Sequence, residues 1–218
     1  MKIQDIELEW LKHSSFEIKF KGKNIFIDPF KIETPDKADF ILITHDHFDH
    51  CSIQDIEKIT KDGTMILCTP DCQSKITRIN KKIEIIIMEP GKEVSFESLR
   101  VKATPAYNLN KQFHPKSEGW VGYVLQLGST VVYHAGDTDL IKEMSDLVGY
   151  GKKGNFFIAL LPIGGTYTMN EEDALKAAQV IHPSLVVPMH YGSNDIKDNS
   201  SKFLSLCKEK GIDAIIPK

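Results

Sequence analysis

No apolar run in this 218-residue chain approaches the roughly 20 residues that a helix needs to cross a bilayer. A membrane-spanning helix is therefore not expected. Excess basic charge is missing too, since 27 Lys and Arg stand against 30 Asp and Glu, a formal charge of −3. That balance leaves no broad electrostatic footprint for nucleic acid or an anionic membrane, though a local basic patch is compatible with it. Cysteine is sparse. Of the four, Cys68 and Cys72 are too few and too badly spaced for a zinc knuckle. Cys68, Cys72 and Cys207 are expected as buried thiols. Cys51 touches His50 in sequence and is a candidate for the wall of a site as well as for the core. There is no Gly/Ser-rich or Pro-rich linker, no low-complexity tract and no strong residue-level repeat, so one domain over residues 1–218 is the simplest organisation. Asp5, Glu7 and Glu9 stand where a secretory leader would need an apolar core. A cytoplasmic protein is the expectation.

Apolar residues make up 41% of the chain, enough to build a core. The densest chemistry lies in Thr44-His45-Asp46-His47-Phe48-Asp49-His50, which directly follows the apolar run Phe40-Ile41-Leu42-Ile43. Imidazole and carboxylate groups this close together suit a divalent metal and little else, a solvated His-rich loop being the bland alternative. If the chain is still extended at its start, His45 and His47 project to the same side, because side chains alternate along a strand. Asp49 and His50 then lie past the turn and can address a second point.

Two later segments complete a pattern: Tyr133-His134-Ala135-Gly136-Asp137-Thr138, and Pro188-Met189-His190-Tyr191-Gly192. With His45-x-His47-x-Asp49-His50 they make the chain resemble the metallo-β-lactamase-fold hydrolases, from about Trp10 to about His190. It looks closest to the branch of small hydrolases that includes ascorbate-phosphate-type lactonases. The resemblance implies two divalent ions, zinc foremost, with manganese, iron or nickel as alternatives. His45 and His47 would hold the first ion, Asp49, His50 and His190 the second, and Asp137 would bridge them. It also implies a departure. Asn108, in Thr104-Pro105-Ala106-Tyr107-Asn108, stands where the family commonly has a histidine. Asparagine oxygen is a poor zinc partner, so His114, six residues on, is the expected replacement ligand or a substrate contact, an exposed loop histidine being the bland alternative, with Asn108 holding the loop.

Other residues have two readings each. Asp137 alone could be a helix cap, and His134 is expected to act in the chemistry by orienting a ligand rather than binding metal. Asp49 is the candidate catalytic carboxylate as well as a ligand. His13 resembles a histidine that recurs near the N-terminus of this branch and would otherwise be an ordinary strand residue; His182 is expected to be structural. The pair Gly164-Gly165 before Tyr167 either brings backbone close to a ligand or makes a plain turn. Lys116 and Lys111 could meet an anionic substrate or be merely solvated. The expected substrate contacts are Asn108, Lys116, Gly165 and Tyr167.

Periodicity predicts strands at Ile3–Trp10 and His13–Phe20, a hairpin turn at Lys21-Gly22-Lys23-Asn24, and strands at Ile25–Ile27, Phe40–Ile43, Thr64–Cys68 and Ile83–Met88. Ser52 with Asp55 predicts a helix start, and Pro70 opens a second helix. Further strands are expected at Leu99–Ala103, Trp120–Leu127, Thr130–His134, Phe156–Leu161, Leu185–Val187 and Ala214–Ile216. Helices are expected at Ile141–Val148, at Glu171–Ile181 behind an Asn170 cap, and at Ser201–Lys210. That order means α/β or α+β with two sheets. The four-layered αββα sandwich is what the resemblance adds.

The function expected is a metal-dependent hydrolase that uses a metal-bound hydroxide to cleave an ester-like bond, a lactone or a phosphodiester, in a small soluble molecule. A nuclease is the enzymatic alternative and a non-catalytic metal-binding sensor or scaffold the other. Nucleic acid and membrane are not expected partners; a homo-oligomer is compatible with the sequence.

Overall fold

The computed structural model describes residues 1–152, 154–192 and 196–216. The chain forms two compact units, Met1–Glu89 and a second that begins at Pro90. Each is built on its own mixed sheet.

The first unit contains β1 (Lys2–Ile3), β2 (Ile6–Lys12), β3 (Ser15–Phe20), β4 (Lys23–Ile27), β5 (Phe40–Ile43), α1 (Ile53–Ile59), β6 (Met65–Cys68), α2 (Gln73–Ile76) and β7 (Glu84–Ile87). Sheet order follows sequence order, antiparallel from β1 to β4 and parallel from β4 to β7. The β3–β4 turn is only Lys21 and Gly22, both at positive φ (47° and 73°), the twist that a two-residue hairpin requires. Ser52 caps α1 by accepting from the Asp55 amide, and Ile56 and Ile59 pack with Phe26, Ile41 and Ile43. Asp55 does more than start the helix. Its carboxylate accepts the amides of Lys31 and Ile32 at 2.9 and 3.0 Å, which ties the loop before β5 to the helix. The expected second helix begins as a 3-10 turn, Pro70–Cys72, and Ile85 to Ile87 form an edge strand that is only half-buried.

Glu17 on β3 is buried, at 1% exposure, and stands directly opposite Glu9 on β2. Burial lifts its carboxyl from 4.5 to about 7; Lys19, 3.8 Å away, opposes this, while Asp36 and Glu9 add to it. The folded protein therefore holds a proton that the unfolded chain has released between those two values. This contribution to stability is whole below pH 4.5 and is lost as pH rises through 7. Glu17→Gln is expected to raise the melting temperature at pH 8 by several degrees and to do little at pH 4.5. Melting curves at the two pH values check this, and an equal effect at both would refute it.

The second unit contains β8 (Glu93–Ser95), β9 (Arg100–Pro105), β10 (Val121–Leu127), β11 (Thr130–His134), β12 (Phe156–Pro162), α3 (Glu171–Ile181), β13 (Leu185–Met189) and α4 (Ser200–Glu209). The order is β13-β12-β11-β10-β9-β8, antiparallel from β8 to β11 and parallel from β11 to β13. Asn170 Oδ1 caps α3 through the Asp173 amide at 2.8 Å, and His182 ends it in the left-handed conformation that helix C-caps favour. His182 is structural, as expected. Two expectations change in type. The segment Lys142–Leu147 is a 3-10 helix, and the terminal strand reduces to one bridge between Ala214 and Val186.

The class is mixed α/β with two sheets, as the sequence indicated, and no helix among the described residues is long and apolar enough to cross a membrane. In each sheet the candidate site residues gather where parallel strands end. Asp28 follows β4, the histidine cluster follows β5, Asp137 follows β11 and His190 follows β13. Ends of this kind fix side chains on rigid elements while loops stay open to ligands.

Candidate metal centre

In the first unit the cluster is organised from beneath by Asp28, which sequence reasoning did not single out. Ile27 pairs with Leu42, so the next residues along both strands bring Asp28 beside Thr44. Asp28 Oδ1 accepts the Thr44 amide at 2.8 Å, and Oδ2 accepts the Thr44 hydroxyl at 2.7 Å. His50 Nδ1 lies 2.7 Å from the same Oδ2. A buried carboxylate only accepts, so Nδ1 of His50 carries the proton and Nε2 the lone pair. The Thr44 hydroxyl donates its one hydrogen bond to Asp28 and therefore accepts from His45 Nδ1 at 2.9 Å. His45 thus also presents an unprotonated Nε2. One carboxylate sets two histidines in the tautomer a metal requires.

The ligand-type atoms are close. His45 Nε2 and His47 Nδ1 are 3.1 Å apart, and His13 Nε2 lies 3.3 Å from Asp49 Oδ2. His13, Asp49 and His50 each bring such an atom within 4.8 Å of one another. His13 reaches this place because Phe16 on β3 pairs with Ile27 on β4, which puts the start of β3 at the end of β4.

In the second unit Asp137 Oδ2 stands 3.3 Å from His114 Nε2 and 3.0 Å from His190 Nε2, and all three residues are buried. Asn108 Nδ2 donates to the carbonyls of Phe113 (2.8 Å) and Tyr167 (2.7 Å), which uses both its hydrogens. His114 Nδ1, 3.1 Å from the Tyr167 carbonyl, is then the donor there, and its Nε2 is left as the lone-pair nitrogen. Asn108 Oδ1 is buried with no hydrogen-bond partner among the described residues. Gly164 matters for His190 rather than for a ligand, because a Cβ there would lie 2.5 Å from the His190 carbonyl and 3.0 Å from its Nδ1. Gly165 donates to the Met169 carbonyl at 2.9 Å. His134 is wholly buried and its Nδ1 accepts the Gly136 amide at 3.2 Å, which steadies the turn that carries Asp137. Lys116 is held by Glu143 at 3.0 Å and rests over the Tyr107 ring, while Lys111 is held by Asp139.

These residues fit a metal. Two ligands on a tetrahedral ion at about 2.0–2.1 Å stand about 3.3 Å apart, close to the 3.0–3.3 Å separations seen within each cluster. Some of these residues are also held in the left-handed conformation, as Gln4, Lys21, Lys31 and His182 are elsewhere. His13, Asp28, His114 and His190 all have positive φ, from 45° to 58°, which costs a residue with a side chain about 1 kcal/mol or more.

Residues 7–190 match the model of the β-lactamase superfamily domain. The chain belongs to that superfamily. A UPF0173 metal-dependent hydrolase of Thermoplasma acidophilum is 33% identical to it over 225 residues, which cover 99% of this chain and 97% of that protein. Among solved structures, a metal-dependent hydrolase of Parabacteroides distasonis superposes with a TM-score of 0.83 at 31% identity, over 97% of this chain and 92% of that one. The metallo hydrolase Igni18 of Ignicoccus hospitalis gives 0.80 at 27% identity, over 98% and 95%. This member of the superfamily is thus a metal-dependent hydrolase of the metallo-β-lactamase fold, with His/Asp clusters able to bind metal.

Its cysteines are not part of those clusters. Cys51, Cys68 and Cys72 belong to the apolar core with Ile43 and Ile56, and burial pushes the Cys68 thiol up to about 12. Cys207 is raised to about 11 for the same reason. Thiols held this way are poor nucleophiles. Cys51→Ala is expected to retain most of the hydrolytic activity. A loss beyond about a hundredfold, the size of a lost general acid–base group, would bring a covalent mechanism back.

Proposed function

We propose that the protein is a dinuclear hydrolase of an ester-like bond in a small soluble molecule, a lactone before a phosphodiester. The observation that carries this is Asp137 Oδ2, placed 3.3 and 3.0 Å from two imidazole nitrogens. A carboxylate oxygen shared in this way suits a bridge between two ions. In this reading His45, His47, Asp49 and His50, joined by His13, are the metal ligands of the first unit, and His114, Asp137 and His190 those of the second. Zinc is the first choice, with manganese, iron or nickel as alternatives for such ligands. When bound, the ions supply an activated water at neutral pH and polarise the bond under attack.

The chain's own residues do the rest. Asp28 keeps His50 protonated at Nδ1, and through Thr44 does the same for His45. Asn108 fixes the His114 loop through its Nδ2 and turns a lone acceptor, Oδ1, to a donor on the substrate or on water. Asp49, whose side chain is 16% exposed beside fully buried His13 and His50, is the group able to pass a proton to solvent. His134 positions Asp137 through the backbone. A formal charge of −3 favours a small cytoplasmic substrate over nucleic acid.

The test is metal titration followed by assay. Reconstituted protein should hold two ions per chain and open a simple lactone faster than it cleaves bis(p-nitrophenyl) phosphate. His114→Ala should weaken one ion by tenfold or more, while Asn108→Ala leaves both bound and loosens the loop, seen as faster proteolysis near Phe113. Two bound ions without turnover of any ester would leave a metal-binding scaffold. Full metal affinity in His114→Ala would remove His114 from the site.

A further inference from the structure

Charges on one face of the first unit's sheet do not balance row by row. Side chains alternate along a strand, so Glu7 and Glu9 on β2 share a face with Glu17 and Lys19 on β3. In one cross-strand row Lys2, Glu7 and Lys19 stand side by side, a carboxylate between two ammonium groups. In the next row Glu9 stands directly opposite Glu17, and Phe26 on β4 follows. Like charges placed opposite each other repel. That row has two acids and no base.

The cations beside it are committed elsewhere. The Met1 ammonium donates to the Leu8 carbonyl at 2.7 Å. Lys19 Nζ donates to Asp36 and stays 3.8 Å from Glu17 Oε1, too far for a hydrogen bond. Asp36, in the loop before β5, also reaches the Glu17 carboxyl. Even so, Glu17 Oε1 is buried with no hydrogen-bond partner among the described residues. A buried acceptor that lacks a donor is unfavourable and rare.

Glu17 lies on a pocket of about 170 Å³ whose wall also includes Met1, Lys2, Glu7, Glu9 and Lys19, with Leu8 as its apolar member. One water occupies about 30 Å³ of liquid, so a group of several heavy atoms has room there.

We infer that this pocket binds a small organic cation from solution, a guanidinium or primary ammonium, which donates to Glu17 Oε1 and sets its charge between Glu17 and Glu9. Such a group supplies both things the row lacks, a donor and a positive charge. Charge-assisted hydrogen bonds of this kind are the stronger ones, and the planar fork of a guanidinium matches a carboxylate best. The site lies wholly within the first unit and does not depend on the hydrolase reading.

Binding at this position has a proton signature. Burial, with Asp36 and Glu9 adding to it and Lys19 opposing, raises the Glu17 carboxyl to about 7. A cation beside it favours the ionised form, so the ligand displaces the proton and binds more tightly as pH rises through 7.

Isothermal titration of zinc-loaded protein, in two buffers of different ionisation enthalpy, reads affinity and proton release together. Methylguanidinium should release about 0.9 proton at pH 6 and about 0.1 at pH 8, and bind about tenfold more tightly at pH 8, as a carboxyl titrating near 7 requires. Tetramethylammonium, with the charge but no donor, should bind tenfold more weakly or worse. Glu17→Gln keeps an acceptor and removes the charge; it should cost methylguanidinium tenfold or more and abolish proton release. Glu9→Gln, at an exposed position, should weaken binding about threefold and leave proton release in place. Glu57→Gln, exposed on α1, should change neither. Agmatine should bind at least as well as N-acetylarginine methylamide, which carries the same group on a peptide; the reverse order would assign the pocket to a protein partner and overturn the free ligand. Absence of binding, binding without proton release, full affinity in Glu17→Gln, or a preference for tetramethylammonium or Mg²⁺ over methylguanidinium would also overturn the proposal.

Discussion

Asp137→Ala is expected to lose at least one metal ion from the purified protein and to lower hydrolysis by a thousandfold or more. The carboxylate oxygen lies within 3.3 Å of two ligand-type imidazole nitrogens. Without it, a metal held by these imidazoles would lose a ligand and the anion that offsets its charge. The thousandfold figure follows from combining a lost ligand with a lost electrostatic anchor, each worth about ten- to a thousandfold alone. Elemental analysis, with His47→Ala as companion, checks the metal part separately from catalysis. Wild-type metal content in both variants would mean that the site is drawn wrongly. Asp137→Glu, which keeps the charge and moves it, should recover part of the metal and less of the rate.

Asp28→Asn has the second largest expected effect, although Asp28 is read here as no ligand at all. The substitution keeps volume and shape. It replaces an oxygen that accepts from buried donors by an amide nitrogen, so at least one of the Thr44 amide, the Thr44 hydroxyl and His50 Nδ1 faces a donor. His50 and His45 then lose the partner that fixes their tautomers. Metal affinity should fall about 10- to 100-fold, the usual consequence of removing such a partner, and stability by about 1–3 kcal/mol. Competition with a chelator of known affinity reads the first and chemical denaturation the second. Unchanged affinity would show that Asp28 supports the fold and not the metal.

Asp28 also shows where the sequence stops being readable. The metal cluster could be found because its residues adjoin one another after an apolar strand, and β5 was located to the residue. Asp28 sits 16 residues before Thr44 and acquires its role only through the parallel pairing of β4 with β5. An acidic residue before Pro29 at a strand end was the only signal. His13 is similar, since its place depends on the register between β3 and β4. His114 could be argued from the missing histidine at Asn108, a count rather than a geometry; its hydrogen bond to Tyr167 spans 53 residues. Gly164 has two readings in the sequence, and the approach of His190 and Ile196 explains why a side chain does not fit there. Short elements suffered most. Glu93–Ser95 offers too few residues for alternation to be visible, and Lys142–Leu147 has helical composition but 3-10 geometry.

The left-handed residues among the candidate site residues of each unit have a meaning for related chains. His13, Asp28, His114 and His190 each occupy a conformation that glycine or asparagine would adopt at lower cost. A lineage released from metal chemistry would gain stability by drifting to those residues. The positions therefore serve as a fossil test. A relative that has relaxed all four is expected to bind metal more weakly, whatever remains of its fold.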